Sequence, residues 1–353
     1  MTRRGHRVTL ISLAPSHYYS GMGPGVLGRF YSPAEARFDI ARLAADGGGE
    51  FVRGRVSRIE PDHRQVILAD GRRIGYDVLS CNTGSGIAHQ VETDGDNGDV
   101  YPVKPIDNLV RLRQEIEQGG AVRRWRLFVA GGGPAGVEVA GNLQRLMARV
   151  GAEADITLVA GDELLSSFPP KVRRIARDSL EGRGIAVLEG VHAKRLAGGR
   201  ARLDNGSEVA FDAACLAVGV QPSPLFRDSG LPTGADGGLL VDATLRSTAW
   251  PEIFGGGDCI CFRDRSLAKV GVHAVRQNPI LFHNVMAALE GQPLKTYEPQ
   301  SHYLLIFNLG DGTGLLHWRG WAWRSRLAFW LKSAIDKRFM KTYQVFEETD
   351  NRN

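Results

Sequence analysis

The sequence predicts an α/β protein in which parallel strands alternate with helices. Residues 126–143 (RLFVAGGGPAGVEVAGNL) run from an apolar, β-rich stretch through three glycines into a helical pattern. A second apolar strand at residues 156–159 follows that helix, as a βαβ unit requires. Strand-like runs end on glycine in both halves of the chain, at residues 80–84 and 216–219. This shared pattern indicates two related nucleotide-binding domains of the Rossmann type.

Length and composition predict a globular protein with two domains and a tail. The chain has 353 residues, of which 43% are hydrophobic and 24% are charged. Its net charge of +5 is modest and predicts no nucleic-acid partner. The N-terminus has basic residues without an apolar core after them, and no run of about 18 apolar residues occurs. We therefore expect a cytoplasmic protein without a signal peptide or a membrane-spanning helix.

The cysteines predict neither a disulfide framework nor a redox-active dithiol. There are four in the whole chain, and no CxxC or CxxxxC pair occurs. Cys259 and Cys261 are the only close pair, and we interpret them as small buried residues beside a loop. No cluster of metal-ligand residues is visible, so no metal site is predicted.

The elements of the first segment can be assigned in order from period and turn residues. They are a strand at 8–13, a turn-rich loop at 17–24, a helix at 35–45, strands at 51–60 and 65–68, a hairpin turn at 70–71, a strand at 76–81, and a charged linker at 92–99.

The remaining elements follow the same logic. They are a helix at 107–118, the strand and helix of 126–150, a strand at 156–159, an arginine-rich helix at 171–182, a strand at 186–188, a hairpin around 204–206, a strand at 213–219, a strand and glycine loop at 253–258, a helix at 273–290 interrupted near Pro279, and strands at 303–308 and 314–318.

The glycines of the 126–143 segment have the GxGxxG spacing of a dinucleotide site. Gly131 allows a tight turn from strand to helix, Gly133 lets the backbone approach a pyrophosphate, and Gly136 lets helix and strand pack closely. Pro134 and Ala135 lie between them, at the start of the helix whose amides would face the phosphates. We therefore predict that residues 131–136 bind a dinucleotide; the alternative is a glycine-rich loop without a ligand.

Several motifs in order resemble one family. NTGS at residues 82–85, GGGPAGVEVA at 131–140, AVG at 217–219 and IFGGGD at 253–258 resemble the pyridine nucleotide-disulfide oxidoreductases. Within them the chain looks like the proteins related to type II NADH dehydrogenases, some of which are fused to selenide, water dikinase. HYYSGMGPG near the start, HAVRQ at 273–277 and WLKSAIDKRFM at 330–340 extend the resemblance through nearly all of the chain.

The resemblance implies a fold with an NAD(P)-binding domain inserted in a split FAD-binding domain, followed by a C-terminal α+β region. The corresponding boundaries are 1–107 and 236–298 for the two FAD-binding parts, 108–235 for the NAD(P)-binding domain and 299–353 for the C-terminal region. It also implies roles for individual residues. Gly84, Ser85, Gly219, Gly257 and Asp258 would bind cofactor, Asp258 on the ribityl or phosphate side of FAD, while Gln277 would begin a helix aimed at the isoalloxazine and Glu138 would lie near the nicotinamide.

Glu138 and Gln277 are thus the candidate catalytic residues. For Glu138 the alternative is a simple complement to the helix dipole in the first turn. Hydride transfer requires no acid–base dyad, so none is assigned.

The chain departs from the family pattern at its beginning. Family members open with a strand and a GxGxxG loop for the FAD pyrophosphate, whereas here residues 8–13 look like the second strand, with seven residues before it. Ser12 and Leu13 stand where an acid would hold the adenosine ribose. We expect the ordinary FAD diphosphate site to be missing from this sequence and the FAD-binding half to have reduced stability.

A second departure concerns the electron acceptor. Type II NADH dehydrogenases carry a glutamine-rich quinone motif, and this chain has Val272 and Arg276 at the two glutamine positions. The acceptor is therefore left open between a quinone and another small molecule.

The choice of nicotinamide cofactor depends on the end of the second strand of the NAD(P)-binding domain. The usual position is Ala160, and Asp162 and Glu163 follow it with no arginine nearby. Acids there suit ribose hydroxyls and favour NADH over NADPH. The alternative is that both acids cap a helix near Leu164.

The tail at residues 319–346 is basic and aromatic. Seven Lys or Arg residues and a single acid, Asp336, lie between residues 319 and 341. Trp323, Leu327, Trp330, Leu331 and Ala334 are predicted to share one helical face. This composition is typical of a helix at the surface of an anionic membrane, and the alternatives are core packing or a dimer contact.

The sequence thus favours an FAD-dependent NAD(P)H oxidoreductase that passes hydride from NADH to flavin and on to a quinone or other small acceptor. Peripheral contact with the inner face of the membrane through the tail is part of this hypothesis. The rival hypothesis is a flavin-poor NAD-binding protein without turnover that docks through the same tail. A disulfide reductase is disfavoured because no paired-cysteine motif is present.

Overall fold

The computed structural model describes residues 1–88, 90–93, 99–120 and 123–344. It divides into two compact units, each assembled from three stretches of chain. Unit 1 comprises Met1–His17, Asp39–Gly86 and Val220–Ser301, and unit 2 comprises Tyr18–Phe38, Ile87–Gly219 and His302–Asn353. The predicted cofactor domains at 1–107, 108–235, 236–298 and 299–353 stay a prediction about function.

The described residues form short strands and a few long helices. The strands are β1 (Thr9–Ser12), β2 (Ser16–Tyr18), β3 (Arg37–Asp39), β4 (Glu50–Arg53), β5 (Val56–Glu60), β6 (Gln65–Leu68), β7 (Arg73–Gly75), β8 (Leu79–Cys81), β9 (Ser85–Ile87), β10 (Glu92–Thr93), β11 (Val100–Pro102), β12 (Trp125–Ala130), β13 (Ala154–Val159), β14 (Ala186–Leu188), β15 (Ala193–Ala197), β16 (Arg200–Leu203), β17 (Glu208–Ala210), β18 (Ala213–Leu216), β19 (Val220–Pro222), β20 (Leu239–Val241), β21 (Ile253–Gly255), β22 (Ile260–Phe262), β23 (Leu305–Asn308), β24 (Gly314–Trp318) and β25 (Trp321–Ser325). The α-helices are α1 (Gly23–Leu27), α2 (Ile40–Asp46), α3 (Asp107–Gly119), α4 (Pro134–Val150), α5 (Pro170–Glu181), α6 (Leu225–Asp228), α7 (Gly271–Glu290) and α8 (Arg326–Gln344).

Unit 2 is built on a five-stranded parallel sheet with the order β11-β18-β12-β13-β14. The central strand β12 is almost wholly buried, which explains its unbroken apolar run. Helix α4 returns the chain from β12 to β13, and its buried face includes Val137, Leu143 and Leu146. The predicted α/β class and the βαβ unit at residues 126–159 are confirmed.

The C-terminal part of unit 2 is an antiparallel sheet of β23, β24 and β25 followed by α8. The inner side of α8 packs on residues from the first stretch of the unit: Phe329 lies 4.5 Å from Phe30, and Phe339 lies 4.5 Å from Tyr19, between ring centroids. Met340 is buried in the same cluster. The inner side of α8 is thus part of the core of unit 2.

Unit 1 contains several small sheets. Strands β1 and β4 form one parallel pair and β8 and β21 form another, while β5, β6 and β7 form an antiparallel meander. Among the residues described, no ladder joins the β1–β4 pair to the β8–β21 pair. Phe254 and Ile253 of β21 are fully buried at the centre of the core of this unit, which helix α7 covers.

The structure corrects four of the predicted elements. The single strand predicted at 51–60 is two strands, β4 and β5, which belong to different sheets. The helix predicted at 35–45 begins only at Ile40, because β3 precedes it and the Asp39 carboxylate caps it by accepting the Arg42 N–H at 2.9 Å. The loop predicted at 17–24 contains the end of β2 and the start of the buried helix α1. Helix α7 is continuous through Pro279 and is not interrupted there.

Further observations concern the predicted linker, the membrane and the cysteines. Residues 94–98 of the predicted linker, like the last two residues of the 319–346 tail, lie outside the described residues. In the part of the chain that is described, no helix combines the length and the apolar character needed to cross a bilayer. All four cysteines are free thiols, and three of them are buried.

Candidate functional site

The predicted dinucleotide loop of unit 2 has a backbone geometry that requires glycine at two of its positions. Gly131 follows β12 with φ +116°, and a Cβ there would overlap the carbonyl oxygen of Ala217. A Cβ on Gly136 would overlap the carbonyl oxygen of Gly131. Neither position can carry a side chain, because its Cβ would overlap a backbone carbonyl oxygen that cannot move aside as a flexible side chain could.

Gly133 differs from its neighbours because the space beside it is open. A Cβ at this position would meet nothing within 4 Å, so the missing side chain leaves room for a ligand. Gly133 is the N-cap of α4, with Pro134 as the first helical residue and Ala135 half-buried after it. A 17-residue helix therefore presents its first amides and the positive end of its dipole to that open space. The cradle fits the pyrophosphate of NAD(P)H.

Gly219 lies close behind this turn in the same unit. It follows β18, the neighbour of β12 in the sheet, and has φ +55°. Because the Ala217 carbonyl packs against Gly131, the two predicted glycine segments meet at the carboxyl edge of the parallel sheet. Ligands bind at this edge in open α/β sheets.

The end of β13 does not form the helix cap that one sequence interpretation gave it, while the predicted ribose contact stays a prediction. Asp162 is exposed, and Glu163 is engaged in an ion pair of 2.6 Å with Arg173. The alternative that the two acids cap a helix near Leu164 is wrong, since the next helix, α5, begins at Pro170. The Leu164 N–H is instead satisfied by the Glu189 carboxylate at 2.7 Å.

Glu138 lies one turn into α4, on the side of the helix that meets the tail sheet. Its Oε1 accepts the Asn308 N–H at 2.7 Å, and its own carbonyl accepts from the Asn142 side chain at 2.7 Å. Burial raises the pKa of Glu138 to about 7, although the charge of Lys332 and the Asn308 hydrogen bond both oppose that rise. A carboxyl group with such a pKa exchanges a proton near neutral pH.

Lys332 and Asp336 of α8 complete this buried polar cluster, and sequence analysis missed their role. Lys332 Nζ donates to Asp336 Oδ2 at 2.7 Å and to the Gly21 carbonyl at 2.8 Å. Burial opposes the charge of Lys332, but Asp336 and Glu138 outweigh it and raise the pKa of this ammonium group. The available signal was an i, i+4 Lys–Asp pair inside an otherwise aromatic helix, because a pair of that kind satisfies both charges locally.

The predicted FAD-binding residues of unit 1 come together at the ends of two paired strands. Strands β8 and β21 are parallel neighbours, so the loops that follow them lie side by side. Ser85 Oγ donates to Asp258 Oδ2 at 2.9 Å across these loops. Gly84 has φ +66° and open space where its Cβ would be. A carboxylate and an uncovered backbone at this edge fit the ribityl side of FAD.

Gln277 is buried in α7 and holds one of these loops. Its Oε1 accepts the Gly257 N–H at 2.6 Å, and Gly257 has φ +74°. Gln277 lies two turns into α7, which starts at Gly271, and does not begin the helix as the resemblance implied. In the described residues of unit 1, no glycine-rich turn of the GxGxxG kind joins a strand to a helix.

The tail carries an exposed aromatic surface. Trp321 and Trp330 are 69% and 66% exposed, and Leu327 between them is 71% exposed. Trp323 belongs to strand β25, so its predicted place on the helical face is wrong. We call the exposed apolar set the tail face; its members are Trp318, Trp321, Trp323, Leu327, Trp330 and Ile335.

The parallel sheet and glycine turn of unit 2, and the carboxylate and glycine loops of unit 1, define a dinucleotide-binding oxidoreductase. Residues 1–284 match the family model described as pyridine nucleotide-disulphide oxidoreductase. The chain therefore belongs to the pyridine nucleotide-disulphide oxidoreductase family, as its motifs predicted. It is an FAD-dependent NAD(P)H oxidoreductase.

Individual relatives are similar over most of their length. Ferroptosis suppressor protein 1 of Taeniopygia guttata is 29% identical over 289 residues, which are 76% of this chain and 71% of that protein. Demethylphylloquinone reductase NdbB of Synechocystis sp. is 27% identical over 283 residues, 76% of this chain and 69% of that protein. The structure of NDH2 from Plasmodium falciparum in complex with NADH shares the fold, with a TM-score of 0.78 at 14% identity over 97% of this chain and 94% of that chain.

Proposed function

We propose that this oxidoreductase takes hydride from NADH and reduces a quinone while it is docked on a membrane surface. The observation that supports this most directly is Glu138, a partly buried carboxyl with a pKa of about 7 on the dinucleotide-binding helix, in one cluster with Lys332. Quinone reduction consumes protons, so a site for it needs a group that holds a proton near neutral pH. A demethylphylloquinone reductase is among the similar proteins.

NADH would bind to unit 2 through backbone groups. The α4 N-terminus and Gly133 would hold the pyrophosphate, while Gly131, Gly136 and Gly219 keep the surrounding turns close. Asp162 follows β13 with its carboxylate exposed, and it would accept hydrogen bonds from the adenosine ribose.

FAD would bind to unit 1 through Gly84, Ser85, Gly257 and Asp258. When bound, the flavin supplies the redox chemistry, because it accepts hydride and returns electrons to an acceptor. Ser85 fixes the orientation of the Asp258 carboxylate, and Gln277 fixes the Gly257 amide. The role of these side chains is to position the loops.

Glu138 would hold and deliver a proton. Its Oε1 is occupied by the Asn308 N–H, so Oε2 is the oxygen that carries the proton. When the proton leaves, the negative charge is stabilised by the Lys332 ammonium group, which Asp336 and the Gly21 carbonyl keep charged and oriented.

The tail face would rest on the membrane. Tryptophan side chains are suited to the headgroup level of a bilayer, and long basic side chains reach the anionic surface. The tail as a whole has both, since Arg338 and Lys337 are exposed on α8, with Lys337 in an ion pair of 3.5 Å with Glu35. A cluster of exposed aromatic side chains of this kind marks an interaction surface.

An absorbance spectrum of the purified protein, followed by anaerobic addition of NADH and then of a short-chain quinone, tests this function. We expect a flavin spectrum that bleaches with NADH and returns with the quinone. A flavin that bleaches but is not reoxidised by quinone would reject the acceptor while leaving the oxidoreductase intact. A colourless protein that cannot be reconstituted with FAD yet binds NADH would favour the flavin-poor binding protein.

A further inference from the structure

Two loops of unit 2 are joined by backbone hydrogen bonds beside the predicted ribose position. The Gly190 N–H donates to the carbonyl of Gly161 at 2.8 Å and to that of Asp162 at 3.3 Å. Gly161 and Val191 also form an isolated antiparallel bridge. The loop that follows β13 is thereby fixed to the residues just before β15, so the side chains of Asp162 and His192 keep a defined relation.

His192 lies between two carboxylates in this arrangement. Its Nδ1 is 3.0 Å from Asp204 Oδ2, and its backbone N–H donates to Asp204 Oδ1 at 3.1 Å. Its Nε2 is 3.6 Å from Asp162 Oδ1. The two-point contact with Asp204 fixes the ring plane, and the remaining nitrogen faces the carboxylate that would read the ribose. The imidazole is half-exposed to solvent.

The protonation state of this ring changes what Asp162 offers to a ligand. With Nδ1–H donated to Asp204, neutral His192 leaves a lone pair at Nε2, and Asp162 keeps its charge for ribose hydroxyls. Protonated His192 donates from both nitrogens and pairs with Asp162. The local charge of the three side chains then rises from −2 to −1. NADPH carries a phosphate of about −2 at the hydroxyl position that NADH leaves neutral, so this change favours NADPH.

We propose that His192, held between Asp162 and Asp204, sets the selectivity between NADH and NADPH and makes it depend on pH. The inference rests on the proposed binding of the adenosine ribose beside Asp162. Histidine titrates between pH 5 and 8, within the working range of most enzymes. NADH is therefore selected most strongly at alkaline pH, and the selection weakens as the ring gains its proton.

The other charged groups around these loops are accounted for. Glu163 is paired with Arg173, and Glu189 is paired with Arg177. Lys194 acts on Asp204, where the hydrogen bonds from the backbone and ring of His192 already lower the pKa of the carboxyl. Asp204 therefore stays ionised near neutral pH, and the imidazole of His192 is the group whose charge can change.

Steady-state kinetics of the holoenzyme between pH 6 and pH 8.5 test the proposal. We expect the ratio of kcat/KM for NADH to that for NADPH to fall roughly fivefold towards pH 6, as one unit charge a few ångströms away would cause in an exposed site. His192→Gln, which cannot gain a proton, is expected to keep a constant ratio. His63→Gln, at an exposed histidine of unit 1, is the matched control and is expected to behave like the wild type.

Titration of NAD⁺ and NADP⁺ by calorimetry gives a readout that does not depend on turnover. The ratio of the two Kd values is expected to follow the same pH dependence in the wild type and to lose it in His192→Gln. A ratio that varies equally in both proteins, or in neither, would overturn the role of His192. If Asp162→Asn leaves the NAD⁺ affinity unchanged, the proposed ribose contact itself is wrong, and that result is distinct from a failure at His192 alone.

Discussion

The raised pKa of Glu138 makes the stability of the fold depend on pH in a defined direction. Its folded value of about 7 exceeds its ordinary value of 4.5, so the folded chain binds an additional proton between these limits. Stability is then lost as pH rises through this window. Relative to Glu138→Gln, the wild type is expected to lose up to about 3 kcal/mol of unfolding free energy between pH 4.5 and pH 8.

Urea unfolding at several pH values measures this difference. Glu153→Gln in the same unit is the control, because the Glu153 side chain is 78% exposed. Parallel pH dependence in wild type and Glu138→Gln would contradict the assignment of a proton to Glu138. The same variant is expected to flatten the pH profile of quinone reduction near pH 7, since the group that holds the proton is gone.

Two glycines of the dinucleotide loop are expected to respond differently to an added methyl group. Gly136→Ala would force backbone apart at the Gly131 carbonyl and is expected to destabilise the fold by about 1–3 kcal/mol. Gly133→Ala has room for its methyl and an ordinary φ of −76°, so stability is expected to change by less than about 0.5 kcal/mol.

Gly133→Ala is nevertheless expected to weaken NAD⁺ binding by about tenfold or more, because its methyl enters the space that the pyrophosphate needs. Thermal unfolding and calorimetry with NAD⁺ separate the two effects. Unchanged NAD⁺ affinity in a stable Gly133→Ala protein would move the pyrophosphate away from this turn.

At the scale of single elements, α8 has a buried side and an exposed side with separate consequences. Ala328, Asp336 and Met340 face the core, whereas Leu327 and Trp330 face solvent. Trp330→Ser is expected to change stability little and to reduce binding to vesicles of anionic lipid several-fold, since a tryptophan at the interface buries a large apolar area.

Co-sedimentation with vesicles of phosphatidylglycerol and phosphatidylcholine measures this binding. Trp250→Ser in unit 1 is the matched control, because this half-buried tryptophan lies outside the tail face. Equal loss of binding in both variants would argue against the tail face as the docking surface.

The elements that could be predicted from sequence are those with a strong local pattern. Strand β12 and helix α4 are a buried apolar run followed by glycines and an amphipathic repeat, and their ends agree with prediction to within a residue or two at the glycine turn. Helix α7 was predicted as interrupted because proline usually ends a helix. Tertiary packing of its buried face keeps it continuous, and no local signal reports that packing.

In the candidate site, too, some residues could be predicted from a local sequence pattern and others could not. The glycines of the dinucleotide loop can be recognised from the sequence, because their steric requirements arise within one short segment and give a fixed spacing. Asn308 and His192 have partners 170 and 12 positions away, and the Gly21 carbonyl lies 311 positions from Lys332, so these contacts leave no pattern in the sequence. The local pair of Lys332 with Asp336 is the exception. Burial, which raises the pKa of Glu138, is likewise a property of the folded unit.

For the whole molecule, the assignment of one cofactor to each unit predicts two separate patterns of protection. Hydrogen exchange with NAD⁺ is expected to slow at residues 131–137 and 160–163, where the pyrophosphate and the ribose would bind. FAD is expected to slow exchange at residues 82–85 and 256–258. Mass spectrometry of peptic fragments resolves the two sets, and NAD⁺ protection confined to unit 1 would reverse the assignment.

One backbone contact of unit 2 limits how this protein can be recombined with its relatives. A Cβ on Gly141 of α4 would overlap the Leu309 carbonyl, and a Cβ on Gly310 would overlap the Gly141 carbonyl. Helix α4 and the turn between β23 and β24 therefore touch peptide to peptide, without a side chain between them. A chimera that imports a C-terminal region from another family member must import its partner for Gly141 as well. The tail and the nucleotide-binding helix must therefore be exchanged together.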